Sequence, residues 1–270
     1  MYQFIADKNG KLSKLALYNV QDLSYSALMK LLRNKDVKVN DKRISKDVLL
    51  NQGDKVVLYF KPQKIEKFST IYIDENILII DKKSGYQSED VYNDILQQFS
   101  TAKFIHRLDR NTDGLMVFAL NEDAENQLLK GFKEHAFDKK YRAKVYGQMP
   151  CDKDILTAFL VKDSENSLVK IYDKKVDNSV MIKTGYEVVK ADRETSDLLV
   201  TLYTGKTHQI RAHLAHEGHF IIGDGKYGDN KINSKFNAKT QKLSSYSLTL
   251  KFDKLSPLYY LNNKTFTIKR

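Results

Sequence analysis

The sequence predicts an α+β fold: a mixed, mainly antiparallel β-sheet domain with flanking helices, preceded by a small α+β domain rich in basic residues. Three observations lead there. Between residues 139 and 203 the chain reads as one strand after another (KYRAKVYG, ILTAFLV, SLVKIYD, SVMIKTGYEVV, DLLVTLYT). No helical pattern separates them, which calls for hairpin connections and antiparallel pairing. Helical patterns occupy 90–99 and 121–135, the second opened by Asn121 as N-cap with acids in its first turn. Finally, residues 1–67 carry fourteen Lys and Arg against seven Asp and Glu, and this stretch ends in a polar segment containing proline.

Taken in order, KLSKLALYNV at 11–20 sets Leu12, Leu15 and Ala16 at helical spacing, and Ser24 or Ser26 is placed to cap a second helix through Leu32. VKVNDKRI alternates about an Asn-Asp turn, and Gly53-Asp54 turns the chain into VVLYF at 56–60. Two short helices followed by a small sheet would bring Lys30, Arg33, Lys35, Lys38, Lys42, Arg43 and Lys46 near one another. Phosphate contact is the functional reading of that cluster, a solvated face the plain one. The first domain is expected over 1–62, a linker over 63–68 and the second domain over 69–270. The second domain opens with STIYIDENILIIDKKSG, two β-rich runs joined by Asp74-Glu75-Asn76 as a hairpin. No internal repeat or low-complexity tract interrupts the chain.

Composition bounds the function. At 270 residues the chain can hold one sizeable core and a small extra domain. A single cysteine, Cys151, excludes an internal disulfide, and no segment reads as a signal peptide or membrane span. A cytoplasmic, soluble, monomeric protein without an obligate protein partner is expected. The net charge of +11, concentrated at the front, points to a polyanion, most simply nucleic acid; a lysine-rich proteome is the bland alternative.

The chemistry concentrates in FIHRLDRNTDGLMVFAL at 104–120, where a His, two Arg and two Asp precede a Gly and the apolar run Leu115–Leu120. That run reads as a buried strand. Asp109 is the natural reactive group, because a carboxylate between Arg107 and Arg110 is held ionised by the nearby cations and can act as nucleophile or base. A turn cap or simple ion pair is the plain alternative. From 204 the chain turns at Thr-Gly and continues as a helix with His208, Arg211 and Ala215 on one stripe. His213, His216 and His219 step by three, so they spread around a helix without the i, i+4 pair of a zinc motif, and no metal site is expected. HRLD also differs from a kinase HRD, and no glycine-rich phosphate loop or DFG accompanies it.

HRLDRNTDGL, KKYRAKVYG at 139–147 and TGKTHQIRAHLAHEGHFIIGDGKYG at 204–228 together resemble the RluA-type pseudouridine synthases, which isomerise specific uridines in RNA. Three ordered blocks make the resemblance specific. It implies Asp109 as the catalytic carboxylate, Tyr141 against the target base, where an aromatic face holds an extruded uracil, and Arg211 paired with Asp109. By the same resemblance Arg107, Arg110, Lys82, Lys206 and His208 are expected to contact RNA, with Arg107 filling the position of the flipped base or holding a phosphate. No metal, nucleotide or organic cofactor is implied. Two departures stand out: Lys83 replaces the usual proline, which would leave the following loop less fixed, and Lys206 replaces an arginine, keeping charge but losing the planar fork. The leading segment, LMKLLRNKDVKVNDKRI through LNQGDKVVL, resembles a small RNA-binding module of a ribosomal small-subunit protein. Large-subunit ribosomal RNA is therefore the expected substrate, ahead of transfer RNA. A glycosylase, which would release free base, and an RNA-binding assembly factor with a vestigial site are the other readings.

Overall fold

The computed structural model describes residues 1–20, 23, 25–59 and 66–269. The chain divides into two compact units, Met1–Glu66 and Lys67–Arg270. Capping by Ser24 and the linker as far as residue 65 lie outside the described residues.

In the first unit, strands β1 (Tyr2–Ile5) and β2 (Gly10–Lys11) precede helices α1 (Leu12–Asn19) and α2 (Tyr25–Arg33). Strands β3 (Val37–Val39), β4 (Lys42–Ile44), β5 (Leu49–Leu50) and β6 (Lys55–Leu58) follow. Leu12, Leu15 and Ala16 of α1 are buried with Leu28 and Leu32 of α2 against Val37, Val56 and Leu58, as their spacing requires. Asn40 and Asp41, both at positive φ, form the hairpin turn between β3 and β4. The helices are not the first element: β1 pairs with β6 at the edge of the four-stranded sheet β1-β6-β3-β4. Ser26 lies within α2 rather than at its cap.

The second unit contains β7 (Phe68–Ile73), β8 (Ile77–Lys82), α3 (Ser88–Leu96), β9 (Lys103–Phe104), β10 (Asp113–Ala119), α4 (Glu122–Lys133), β11 (Asp138–Tyr146) and β12 (Lys153–Asp163). After these come β13 (Leu168–Tyr172), β14 (Val180–Ala191), β15 (Thr195–Leu202), α5 (Gln209–His216), α6 (Asn230–Lys235), β16 (Leu243–Thr249) and β17 (Thr265–Thr267). Asn121 caps α4, its side chain accepting the Ala124 N–H at 2.9 Å. Strand β7 starts at Phe68, the last residue of the expected linker. Among the described residues no helix is long and apolar enough to cross a membrane.

The strands form one sheet ordered β13-β12-β14-β15-β11-β16-β10-β8-β7. Pairing along it is antiparallel except between β10 and β16, which run parallel. Successive residues of β8 and β10 serve two cores. Leu78, Ile80, Met116 and Phe118 face one core, covered by α3 and α5, while Ile77, Ile79, Leu115 and Val117 face another, covered by α4 and the C-terminal segment. Burial on both faces explains why these strands read as unbroken apolar runs.

The parallel pair depends on Gly114. Its φ is +109°, and a Cβ there would fall inside the backbone of Ser245, its partner across the pair. Gly114→Ala is therefore expected to lower unfolding free energy by at least about 2 kcal/mol, combining a disfavoured φ with overpacking. Urea unfolding checks this; an unchanged midpoint would mean that β10 and β16 can separate without penalty.

Candidate active site

The loop 105–112 is pinned from both flanks. Ser88, at the start of α3, donates Oγ–H to the Leu108 carbonyl at 2.8 Å and accepts the Leu108 N–H at 3.0 Å. Opposite, the Arg110 carbonyl accepts the Gly85 N–H at 2.9 Å, and Arg110 Nε donates back to the Gly85 carbonyl at 2.9 Å. The segment around residue 83 is thus held despite the missing proline: Lys83 uses the N–H that a proline lacks to donate to the Lys67 carbonyl at 2.8 Å, and Ser84 Oγ donates to the Asn111 carbonyl at 2.9 Å.

Lys82 belongs to this scaffold and not to an RNA surface, which corrects the expectation from sequence. Its side chain is fully buried, and Nζ donates to the carbonyls of Tyr86 at 2.9 Å, Arg110 at 3.1 Å and Lys83 at 3.2 Å. Strand alternation turns Lys82 inward and leaves Lys83 exposed. Burial pulls the Lys82 ammonium down to about 8, opposed by the charges of Asp113, Asp109 and Asp81.

Of the cations expected around Asp109, the two that flank it in the chain turn away and the one that the family resemblance implied, Arg211, is in place. Arg107 is exposed and pairs with Glu89 at 3.0 Å, and Arg110 is turned to Gly85. Arg211 is the partner: Nη1 donates to Asp109 Oδ2 at 2.7 Å. The same guanidinium donates from Nε to Asp224 Oδ2 at 2.7 Å and from Nη2 to Asp224 Oδ1 at 2.9 Å, the bidentate pairing for which Arg is suited. Asp224 is wholly buried and also accepts the N–H groups of Lys226 at 2.8 Å and Tyr227 at 3.2 Å. The Tyr227 ring lies 5.2 Å from Arg211 Cζ. Burial alone would depress the Arg211 guanidinium and raise the Asp224 carboxyl, but their mutual bonds dominate, leaving Arg211 above and Asp224 below its ordinary value.

Asp224 and Tyr227 had no expected role, although both stand in GDGKYG at 223–228. Gly223, at φ +83°, lets that turn approach the Thr240 backbone, where no side chain would fit. Gln209 anchors the other side of the arginine: it donates to Thr184 Oγ1 at 3.0 Å and accepts from Thr204 Oγ1 at 2.9 Å and Lys206 N at 3.1 Å. His208 is not part of the helix stripe but caps α5 in a left-handed conformation. Its Nδ1 meets Tyr227 OH at 2.9 Å and its Nε2 lies 3.9 Å from Asp109 Oδ1. Burial lowers the His208 pKa despite the pull of Asp109, so the ring is neutral at pH 7 and forms no ion pair there.

These groups line a cleft of about 960 Å³ that includes Asp109, Tyr141, Arg211, Lys206, Arg107 and Arg110. Burial, helped by the Asp109 charge and opposed by a hydrogen bond with Ser245, pushes the Tyr141 phenol up to about 12, so it stays protonated at neutral pH. The remaining histidines are scattered: His213 meets Thr184 Oγ1 at 3.0 Å, His216 meets Asp173 at 2.7 Å and His219 meets the Tyr146 carbonyl at 3.1 Å. In the first unit Lys30, Arg33, Lys42 and Arg43 are exposed. Lys38 and Arg43 stand 5.6 and 5.4 Å from the Tyr59 ring centroid.

Residues 76–216 match the profile of the RNA pseudouridylate synthase family, and Asp109, Tyr141 and Arg211 all fall within that match. The chain belongs to this family. An RNA pseudouridine synthase of Helicobacter pylori is 34% identical over 203 residues, covering 73% of this chain and 78% of that protein. The ribosomal large subunit pseudouridine synthase C of Vibrio parahaemolyticus is 27% identical, over 80% of this chain and 75% of its own length. In fold, human RNA pseudouridylate synthase domain containing 1 superposes with a TM-score of 0.61 over 70% of this chain and 80% of its own, at 24% identity. As an RNA pseudouridine synthase the chain is an isomerase that reattaches uracil to the same sugar through a different ring atom.

Asp224→Asn keeps the shape of the clamp and removes its buried charge. It is expected to lower unfolding free energy at pH 7 by about 3 kcal/mol, the scale of stripping a buried charge of its bidentate carboxylate, with one N–H still held by Asp109. The folded Asp224 pKa is depressed, so its contribution is complete above the unfolded carboxylate value near about 3.9 and is lost as pH falls through the lower folded value. Urea unfolding should accordingly show a gap between wild type and variant that is widest at neutral pH and closes below about pH 4. Equal stability at pH 7 would show the pair to be no better than its neutral isostere.

Proposed function

We propose that this pseudouridine synthase acts on uridines of large-subunit ribosomal RNA, with Asp109 as the catalytic carboxylate, Tyr141 against the target base and Arg211 holding Asp109 in place. The observation that carries the assignment of roles is the 2.7 Å bond from Arg211 Nη1 to Asp109 Oδ2 inside the cleft that Tyr141 also lines. The substrate class draws on the relative named ribosomal large subunit pseudouridine synthase C and on the basic first unit.

The reaction breaks the C1′–N1 bond of uridine, turns the base and forms C1′–C5, with the proton leaving C5 and N1 gaining one. A glycosidase needs a second carboxylate to protonate its leaving oxygen. Uracil is a better leaving group and stays in the pocket, so one carboxylate suffices. Asp109 either attacks the sugar or takes a sugar proton, and both routes put its oxygen against the sugar. Arg211 leaves one Asp109 oxygen, Oδ1, open to substrate, while Tyr141, protonated, offers an aromatic face and a hydroxyl to an extruded base. Arg107, Arg110 and Lys206 are cleft cations assigned to RNA, and Lys30, Arg33, Lys38, Lys42 and Arg43 the phosphate contacts of the first unit.

Site-resolved mapping of pseudouridine in total RNA from a strain lacking the gene, with wild-type or Asp109→Asn protein restored, tests this reading. At least one large-subunit position should vanish on deletion, return with wild type and stay absent with Asp109→Asn, whose RNA affinity remains within a few fold. Loss confined to transfer RNA would reject the substrate; activity in Asp109→Asn would reject the carboxylate.

A further inference from the structure

The cleft contains a buried cationic group, Lys139, that the reaction does not employ. Lys139 precedes Tyr141 by two residues on β11 and therefore shares its face of the strand. It is 8% exposed, and it lines the same cleft. Its Nζ donates to the Phe137 carbonyl at 3.5 Å, the outer limit of a hydrogen bond, and stands 5.7 Å from the Phe132 ring centroid. The adjacent carboxylate, Asp138, is on the opposite face, where Lys251 holds it at 2.8 Å. Among the described residues Lys139 has no ion-pair partner and one weak acceptor for its three N–H donors.

Its surroundings are cationic as well. His135 and Lys206 line the cleft, and burial together with the charges of Lys139 and Lys206 lowers the His135 imidazole below its ordinary value. His106, stacked 4.4 Å from Phe132 and accepting the Val117 N–H at Nε2, is pushed down to about 3 by burial and by Lys139. Both rings are neutral at pH 7, so the positive charge here resides on lysines, of which Lys139 is buried while Lys133 and Lys206 are more open to solvent. A buried ammonium without a counter-ion is costly, and an anionic ligand that completes its bonds removes that cost.

We propose that Lys139 and Lys206 together bind one backbone phosphate of the substrate RNA, which sets the register that brings the target uridine over Asp109 and Tyr141. The proposal rests on reading the cleft as the RNA site. A phosphate fits better than a base carbonyl because it supplies the charge that Lys139 lacks as well as the acceptors.

The test uses the full chain and a transcript of the organism's own large-subunit ribosomal RNA, with affinity followed against KCl and conversion followed in single turnovers. Lys139→Met should bind roughly five- to tenfold more weakly at low salt and lose about 0.7 to 0.9 from the slope of log affinity against log salt, the signature of one phosphate contact. Its rate at saturating RNA should fall severalfold as well, because the lost phosphate contact also loosens the register, and Lys139→Arg should restore both slope and rate. Lys206→Met, an exposed position whose folding is not at issue, should lose the same slope, and the double variant no more than either alone, because the phosphate is shared. A wild-type slope in a folded Lys139→Met, or in Lys206→Met, overturns the proposal, as would additive losses. If wild type makes no pseudouridine in this transcript, the substrate reading fails, while the slopes still decide the phosphate site.

Discussion

One guanidinium joins the two carboxylates on which the site depends. Arg211 spends Nε and Nη2 on Asp224 and Nη1 on Asp109, so the plane fixed by the first pair dictates where the second bond points. Asp224 can serve as the fixed end because it is wholly buried and its Oδ1 is held by two backbone N–H groups of the turn 224–227. Order therefore passes from a backbone turn to a buried carboxylate, then to an arginine, and last to the carboxylate at the cleft. A lone Asp–Arg contact would leave both side chains free to swing; here the arginine is committed before Asp109 is reached.

The sheet brings these parts together. Asp109 sits in the loop entering β10 and Tyr141 is on β11, and β16 separates these strands. That strand can lie against β10 because Gly114 has no side chain and Ser244 and Ser245 are small. The glycine of the RNTDGL stretch thus acts on the site indirectly, by allowing the two strands that carry reactive groups to be spaced by one thin strand. Lys82 contributes from β8, tying three carbonyls, including that of Arg110, beneath the loop.

Much of this was legible in the residues, unevenly and for physical reasons. Apolar runs at 77–80 and 115–119 announced strands buried on both faces, and alternation from 139 onward announced antiparallel pairing. Asp109, Tyr141 and Arg211 could be grouped through motif resemblance, since no local pattern links residues 102 positions apart such as Asp109 and Arg211. Charge adjacency misled: Arg107 and Arg110 flank Asp109 in the chain, yet in this loop they turn to Glu89 and Gly85. β16 received no reading from the sequence, since LSSYSLT is serine-rich; its buried serines make sense only between two close strands. Lys82 was expected at an RNA surface because burial of a charge is decided by tertiary neighbours, which the sequence does not display. Asp224 was visible in GDGKYG, but nothing local to that turn reveals that it grips an arginine on α5.

The arginine clamp is tested most directly by the single-turnover rate of Arg211→Lys on RNA that carries the target uridine, measured alongside its RNA affinity. Lysine keeps the charge but cannot make three bonds in one plane, so Asp109 loses its fixed position while the cleft keeps its electrostatics. Affinity is expected to stay within a few fold of wild type and the rate to fall by about 10²-fold, the scale of a misplacement near 1 Å. A wild-type rate in Arg211→Lys would contradict this, showing that charge near Asp109 is enough and that the planar bridge to Asp224 does not position the carboxylate.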